Sequence, residues 1–283
     1  MRIINLDQNF KPYGDYGELF IKKFIFPSGI EPHVNVDGLD IKGIYGRQDV
    51  LITHRIRSMN DLMEIVLLNN ALLLNYEKEI SSIRLFIPYL PFARQDRECA
   101  EGDPFSLAVF SDILNRCKFS RITVLDVHSE VAFDYIDNLE NITFKRSVSF
   151  NIPSFDNYII ISPDKGSRNR CNDFLHVNSK NEIINFSKVR DPKTGKLSGF
   201  ECETMDFKGK DCIIIDDICS KGGTFMGIAK ILKERNAGKV ILVVSHYEGI
   251  ADENYLKSSG IDMVYKTNSM NDYESDFVKN ILI

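Results

Sequence analysis

The segment Cys212-Ile213-Ile214-Ile215-Asp216-Asp217-Ile218-Cys219-Ser220-Lys221-Gly222-Gly223-Thr224 concentrates more chemistry than any other part of the sequence. An apolar strand delivers two carboxylates to its C-terminal edge. A short loop with a serine, two glycines and a threonine then opens a helix. Glycines let backbone N–H groups approach a phosphate, and a helix N-terminus adds partial positive charge. Adjacent carboxylates can hold sugar hydroxyls or a magnesium ion. Three other places carry matching groups. Arg94 and Arg97 sit on a loop after a strand, where guanidinium groups bind any polyphosphate bidentately or simply face solvent. His128 and Asp164 follow neighbouring apolar strands, and an imidazole with a carboxylate can orient a magnesium-bound water. Lys188 and Arg190, two cations one residue apart, fit a charged surface hairpin on their local sequence.

The elements that must position these residues alternate in type. Arg84–Ile87, Ile122–Leu125, Tyr158–Ile161, Cys212–Ile215 and Val240–Val244 are near-continuous apolar runs, which suit parallel strands covered on both faces. Helical periods fill the gaps. Asp61–Glu79 follows Ser58, with Asp61 at the capping-box position. Phe105–Arg116 and Phe225–Asn236 are further helices, the latter ending before Ala237-Gly238, where the glycine can take the left-handed conformation. The alternation predicts an α/β fold of mainly parallel sheets flanked by helices. A boundary near residue 145 gives domains 1–145 and 146–283. Val189–Glu203 is predicted to project as a loop or hairpin.

Composition sets the outer limits. In 283 residues, 35 Lys and Arg stand against 40 Asp and Glu, a net charge of −5, so nonspecific coating of nucleic acid or an anionic membrane is not expected. No apolar run reaches the roughly 18 residues of a membrane span. The opening MRIINLDQNFKPYGD lacks an apolar signal core, and six scattered cysteines form no C-x-x-C pair. Together these predict a cytoplasmic protein with reduced thiols. The sequence contains no G-x-x-x-x-G-K-[ST], H-E-x-x-H or G-x-S-x-G pattern.

The segment ending in Gly222-Gly223-Thr224 resembles the phosphoribosyl-pyrophosphate (PRPP) motif shared by type I phosphoribosyltransferases and ribose-phosphate diphosphokinases, the PRPP synthetases. Pro88-Tyr89-Leu90-Pro91-Phe92-Ala93-Arg94-Gln95-Asp96-Arg97 resembles the ATP signature of the second family, and Leu125-Asp126-Val127-His128-Ser129 its metal-binding segment. The order and spacing match from about residue 40 to 250. The resemblance implies two phosphoribosyltransferase type I-like domains, an N-terminal one on the ATP side and a C-terminal one on the ribose phosphate side. It implies ATP contacts at Arg94, Gln95, Asp96 and Glu31, and Mg2+ at His128, Asp164 and Asp126. It also implies a pyrophosphate loop at Asp164, Lys165, Gly166, Ser167 and Arg168, with catalytic cations at Lys188 and Arg190. Asp216, Asp217, Ser220, Lys221, Gly222, Gly223 and Thr224 would hold the ribose and its 5-phosphate. The implied reaction moves the β,γ-diphosphoryl group of ATP to the anomeric hydroxyl of ribose 5-phosphate, giving PRPP and AMP.

The sequence departs from that family's pattern in four places. Where the family reads Asp-Thr-Gly-Gly-Thr, this chain reads Ser220-Lys221-Gly222-Gly223-Thr224, one acid lost and one lysine gained. That change opens an alternative acceptor, ADP-ribose, with ADP-ribose 1-pyrophosphate as product and a role in NAD salvage. The N-terminal region is abbreviated, and Phe26–Val34 only loosely resembles the Phe-Ser-Asp-Gly-Glu loop that reaches a neighbouring subunit. A homo-oligomer, dimer or hexamer, is the expectation. Lys165 and Ser167 replace an apolar residue and a glycine in the pyrophosphate loop, and the loop around Lys188 and Arg190 is rewritten. A non-catalytic regulatory homologue is the remaining alternative. It predicts damage at His128, Lys188 or Arg190, and all three are intact.

Overall fold

A computed structural model of the chain describes residues 1–15, 17–41, 46–149, 152, 157–175, 181–190 and 197–283, and only the backbone of residues 149, 188–190, 197 and 198. The described chain divides into two compact units, Met1–Ile142 and Thr143–Ile283.

The first unit contains β1 (Arg2–Asn5), β2 (Lys22–Ile25), β3 (Pro32–Asn35), β4 (Gln48–Thr53), α1 (Met59–Tyr76), β5 (Ile80–Phe86), α2 (Ser106–Arg116), β6 (Arg121–Leu125), α3 (Ala132–Tyr135) and β7 (Leu139–Ile142). Its main sheet has the order β1-β4-β5-β6-β7, and every pairing is parallel. β2 and β3 form a separate antiparallel hairpin. Parallel neighbours need crossover connections, which α1 and α2 supply. Leu62, Ile65, Leu68 and Leu72 of α1 and Leu107, Phe110 and Leu114 of α2 meet Ile83, Leu85 and Ile122 in one core. Ser58 starts α1 through a capping box, as its sequence predicts: Asp61 N–H donates to Ser58 Oγ (3.3 Å) and Ser58 N–H to Asp61 Oδ2 (2.7 Å). The helix stops at Tyr76 rather than Glu79, because the chain turns there into β5. That strand begins at Ile80 rather than Arg84. Ser81 and Ser82 hide its start in the sequence, their hydroxyls donating to Asp49 Oδ1 on β4.

The second unit opens with a π-helical turn (Lys145–Ser149). It continues through β8 (Tyr158–Ser162), α4 (Arg168–Phe174), β9 (Ile183–Asn185), β10 (Ser187–Arg190), β11 (Leu197–Glu201), β12 (Asp211–Cys219), α5 (Gly223–Glu234), β13 (Val240–Tyr247), α6 (Glu253–Ser258), β14 (Met263–Thr267) and β15 (Val278–Ile281). The six-stranded parallel sheet has the order β15-β14-β13-β12-β8-β9. β12 explains why such strands read as unbroken apolar runs. Cys212 and Ile214 pack with Phe225, Ile228 and Leu232 of α5, whereas Ile213 and Ile215 pack with Cys171 and Phe174 of α4. Both faces are covered, so period two gives no polar half.

Two sequence expectations change. β12 continues past the acid pair to Cys219, so Asp216 lies inside the ladder opposite Val244 rather than after the strand. α5 spans Gly223–Glu234, and its left-handed residue is Asn236 (φ 62°), not Gly238. Ala237 N–H reaches Leu232 O (2.9 Å) and Asn236 N–H reaches Lys233 O (3.2 Å), a Schellman ending. Gly238 serves close approach instead, since a Cβ there would meet Asp211 Oδ1 at 2.5 Å.

Ile214 is fully buried in the middle of β12. Ile214→Ala is expected to cost about 2–5 kcal/mol, through lost transfer energy plus a cavity. Urea unfolding should show a lower midpoint with an unchanged slope.

Candidate functional site

In the second unit, two loops leave the C-terminal ends of adjacent strands, the position where open parallel sheets bind ligands. The first follows β8. Asp164 Oδ1 accepts from the N–H groups of Gly166 (3.0 Å) and Ser167 (3.3 Å). Ser167, fully buried, shares a 2.8 Å hydroxyl contact with Ser162. The serine at 167 thus ties the loop back to its own strand. Lys165 and Gly166 stay exposed, and Arg168 binds Asn185 through its guanidinium.

The second loop follows β12. Asp217 is buried (3% exposed), and its N–H donates to Asp216 Oδ1 (3.0 Å). Burial, the adjacent Asp217 charge and the Asp164 charge together push the Asp216 carboxyl well above the ordinary carboxylate range. The strand then passes through Ser220 and the exposed Lys221 to Gly222. Gly222 has φ 77°, and a Cβ there would meet Leu256 Cδ2 at 2.8 Å, so glycine is required twice over. It caps α5, whose first N–H groups lack intrahelical acceptors by the geometry of any helix. Acids and helix N-terminus therefore lie on one continuous stretch of chain: carboxylates first, then an anion-attracting end. A concentration of carboxylates this costly fits a divalent cation with oxygen ligands, together with sugar hydroxyls.

Arg170, on α4, was not singled out from sequence. Its Nη1 donates to Gly166 O (3.4 Å) and its Nη2 lies 3.9 Å from Asp217 Oδ2, so it links the loop after β8 to β12. Its spacing two residues after Arg168 was the available signal. A second unforeseen group sits at the ends of β13 and β14. Fully buried Lys266 donates to Asn271 O and Oδ1 (2.8 Å each), and His246 Nδ1 contacts Ser269 Oγ (2.8 Å).

In the first unit, Pro91–Arg94 turn sharply after β5, with Phe92 at φ 63° and Gln95 N–H returning to Phe92 O (2.8 Å). Arg94, Gln95 and Arg97 are exposed, while Ala93 is buried and anchors the turn. Ser106 Oγ donates to Gln95 Oε1 (2.5 Å) at the start of α2. Ser129 Oγ donates to Asp96 Oδ2 (2.6 Å). That bond brings the Arg94–Arg97 loop to the loop after β6, where His128 is exposed. Asp126, at φ 40° and 5% exposed, shapes that loop from beneath, its N–H donating to Ile142 O (2.8 Å). Glu31 is exposed beside the turn of the β2–β3 hairpin, its carbonyl accepting from Phe26 N–H (2.9 Å).

Lys188 and Arg190 lie on β10, which pairs antiparallel with β11 in register Lys188↔Phe200 and Arg190↔Leu197. Val189–Glu203 thus includes a hairpin. The side chains of Lys188 and Arg190 lie outside the described residues, as do residues 191–196. Phe200 packs onto the core beside α5.

Residues 156–274 match the phosphoribosyl transferase domain family. The ribose-phosphate pyrophosphokinase of Aeropyrum pernix is 31% identical over 251 residues, covering 87% of this chain and 79% of the relative. That of Wolinella succinogenes is 32% identical over 240 residues, covering 79% and 72%. In structure, the phosphoribosylpyrophosphate synthetase from Mycobacterium smegmatis matches with a TM-score of 0.79 at 21% identity, covering all of this chain and 94% of that one. At that identity the likeness speaks for the fold.

Because its folded-state pKa is raised, Asp216 takes up protons on folding, so its ionisation opposes stability as pH rises. Asp216→Asn is expected to raise the melting temperature at pH 7. The advantage should shrink as pH falls and vanish below about pH 4, where Asp216 is protonated in folded and unfolded chains alike. Paired melting curves from pH 3 to 8 measure it.

Proposed function

The chain belongs to the ribose-phosphate pyrophosphokinase family, and from that premise we propose that it transfers the β,γ-diphosphoryl group of ATP to a ribose anomeric hydroxyl, releasing AMP. The observation that carries this reading is the course of residues 212–224: a carboxylate pair on β12, then a turn through Gly222 into the N-terminus of α5. A sugar with hydroxyls at one end and a phosphate at the other fits that order of groups.

In this reading the N-terminal unit serves ATP. Arg94 and Gln95 present exposed groups to the nucleotide, Glu31 joins them from its hairpin, and Asp96 fixes the loop through Ser129. The C-terminal unit serves the acceptor. Asp216 and Asp217 hold the ribose hydroxyls, and Ser220 to Thr224 surround its 5-substituent. Lys165, Gly166 and Arg168 border the diphosphate. His128, Asp164 and Asp126 are the residues assigned to Mg2+. Magnesium, when bound, neutralises phosphate charge and aligns the two substrates. Lys188 and Arg190 stabilise charge building on the transferred group, and the β10–β11 hairpin carries them. ATP and a sugar phosphate are thus the small-molecule partners, and the protein works as a homo-oligomer in the cytoplasm. Among the described residues no helix is long and apolar enough to cross a membrane.

A second acceptor is favoured by one feature. Lys221 is exposed directly before the Gly222 turn, and Ser220 stands where relatives of the resembling motif carry an acid. Added positive charge there suits a longer anionic tail, the diphosphate of ADP-ribose, with NAD salvage as the role. AMP release from ATP and magnesium, assayed with each acceptor separately, distinguishes the two. Turnover with ribose 5-phosphate alone removes the second reading, and turnover with ADP-ribose alone removes the first. No AMP with either would leave a non-catalytic homologue. With the productive acceptor, Lys188→Ala should lower kcat by about 10²–10³-fold with little change in KM, as expected for a group acting in the transition state.

A further inference from the structure

His54 follows β4 directly, and its backbone N–H donates to Phe86 O on β5 (3.0 Å), so its position is set by two strands of the sheet. Its side chain is 1% exposed. Neither ring nitrogen makes a hydrogen bond, although Nε2 lies 3.5 Å from Asp61 Oδ1 and 3.4 Å from Glu64 Oε2. Leaving a buried imidazole without hydrogen bonds is costly. Here two carboxylate oxygens are near enough to relieve that cost, yet neither contact has the geometry of a hydrogen bond.

The three donor atoms instead converge on a common point. One ligand atom from each residue lies within 4.8 Å of the other two. The acids occupy i and i+3 on the first turns of α1 and so share a face. Asp61 is oriented by the capping box, because its Oδ2 accepts from Ser58 N–H (2.7 Å) and Arg57 N–H (2.8 Å) while Oδ1 turns toward His54. Glu64 is fixed by Lys23 Nζ on β2, which donates to Oε2 (2.6 Å), the same oxygen that lies 3.4 Å from His54 Nε2. A carboxylate held through its other oxygen by outer partners, as Asp61 is, is the usual pattern at metal centres. The spacing also fits. With zinc–ligand bonds of about 2.0–2.2 Å, the edge of a tetrahedron is roughly 3.3–3.5 Å.

We propose that His54, Asp61 and Glu64 form a transition-metal site, of the Zn2+ class, separate from the Mg2+ chemistry assigned above. An imidazole with two carboxylates suits Zn2+ better than Mg2+ or Ca2+, which take oxygen ligands almost alone. Three protein ligands leave a fourth position for water. The ion would join the end of β4 to the start of α1. Through Lys23, and through Asn60 Nδ2 donating to Gly29 O (3.0 Å), it would also steady the β2–β3 hairpin that bears Glu31.

The test uses the chelator-treated full chain in millimolar Mg2+, which keeps oxygen-donor sites filled. Equilibrium dialysis against Zn2+ should find one tight equivalent per chain. His54→Gln and Glu64→Gln should each weaken it at least tenfold, and His128→Ala should leave it in place. Co2+ substituted into the unmutated protein should give the intense visible absorption of tetrahedral cobalt, a readout that needs no variant to fold. Zinc binding that survives both His54→Gln and Glu64→Gln, that disappears with His128→Ala, or a weak octahedral cobalt spectrum would each overturn the proposal.

Discussion

The second unit is organised around a single electrostatic conflict: two adjacent carboxylates held at the end of a strand that is otherwise apolar on both faces. Cys212, Ile213, Ile214 and Ile215 are all fully buried, and the strand carries that burial onward to Asp217, with Asp216 half-buried beside it. Removing one carboxylate from water is costly, and placing a second beside it adds repulsion. Arg170 answers part of this conflict, with its Nη2 3.9 Å from Asp217 Oδ2 and its Nη1 donating to the Gly166 carbonyl. Adjacent carboxylates shifted this far by burial and by each other are typical of functional sites. The surrounding architecture keeps them in place. The α4 and α5 helices pack opposite faces of β12, so neither acid can leave without undoing a core.

The first unit manages its polar groups differently. Glu31, Arg94, Gln95 and His128 are exposed, and much of their order comes from loop bonds rather than burial. Asp96 receives the Ser129 hydroxyl, Gln95 receives that of Ser106, and Phe92 and Asp126 accept left-handed backbone to let the loops turn. A non-glycine residue at positive φ persists only where its surroundings over-determine it. Ala93 and Val127, both buried, supply that determination by pinning each loop to the core. Exposed charged groups can thus still be held in register.

Legibility from sequence followed the same physics. The α/β alternation and the strands β8, β12 and β13 were readable because burial on both faces leaves unbroken β-branched runs. The Ser58 capping box was readable because it is local. The hairpin of β2 and β3 was not, since Lys22–Ile25 is exposed along its length and shows no alternation to detect. The extension of β12 past Asp216 was missed because aspartate is a poor strand former, and only pairing with β13 overrides that preference. The site residues were legible where a motif runs along the chain, as in Cys212–Thr224. They were illegible where the fold assembles them. Arg170 meets Asp217 across 47 positions, and His54 meets Asp61 and Glu64 only because β4 and α1 pack together.

The replacement of an acid and a threonine by Ser220 and Lys221 is best judged against that local charge balance. The loop lies between Asp216 and Asp217 on one side and the positive end of α5 on the other. An acid at 220 would add to the first and oppose the second; a serine does neither, and Lys221 reinforces the helix end within one turn. Gly222 holds the chain in a left-handed conformation (φ 77°) directly after Lys221, which sets the course of the loop into α5. The change in charge is therefore borne where it occurs, in the space just outside the α5 N-terminus. That space is more positive than an acid-bearing loop would leave it, while Asp216 and Asp217 stay as they are.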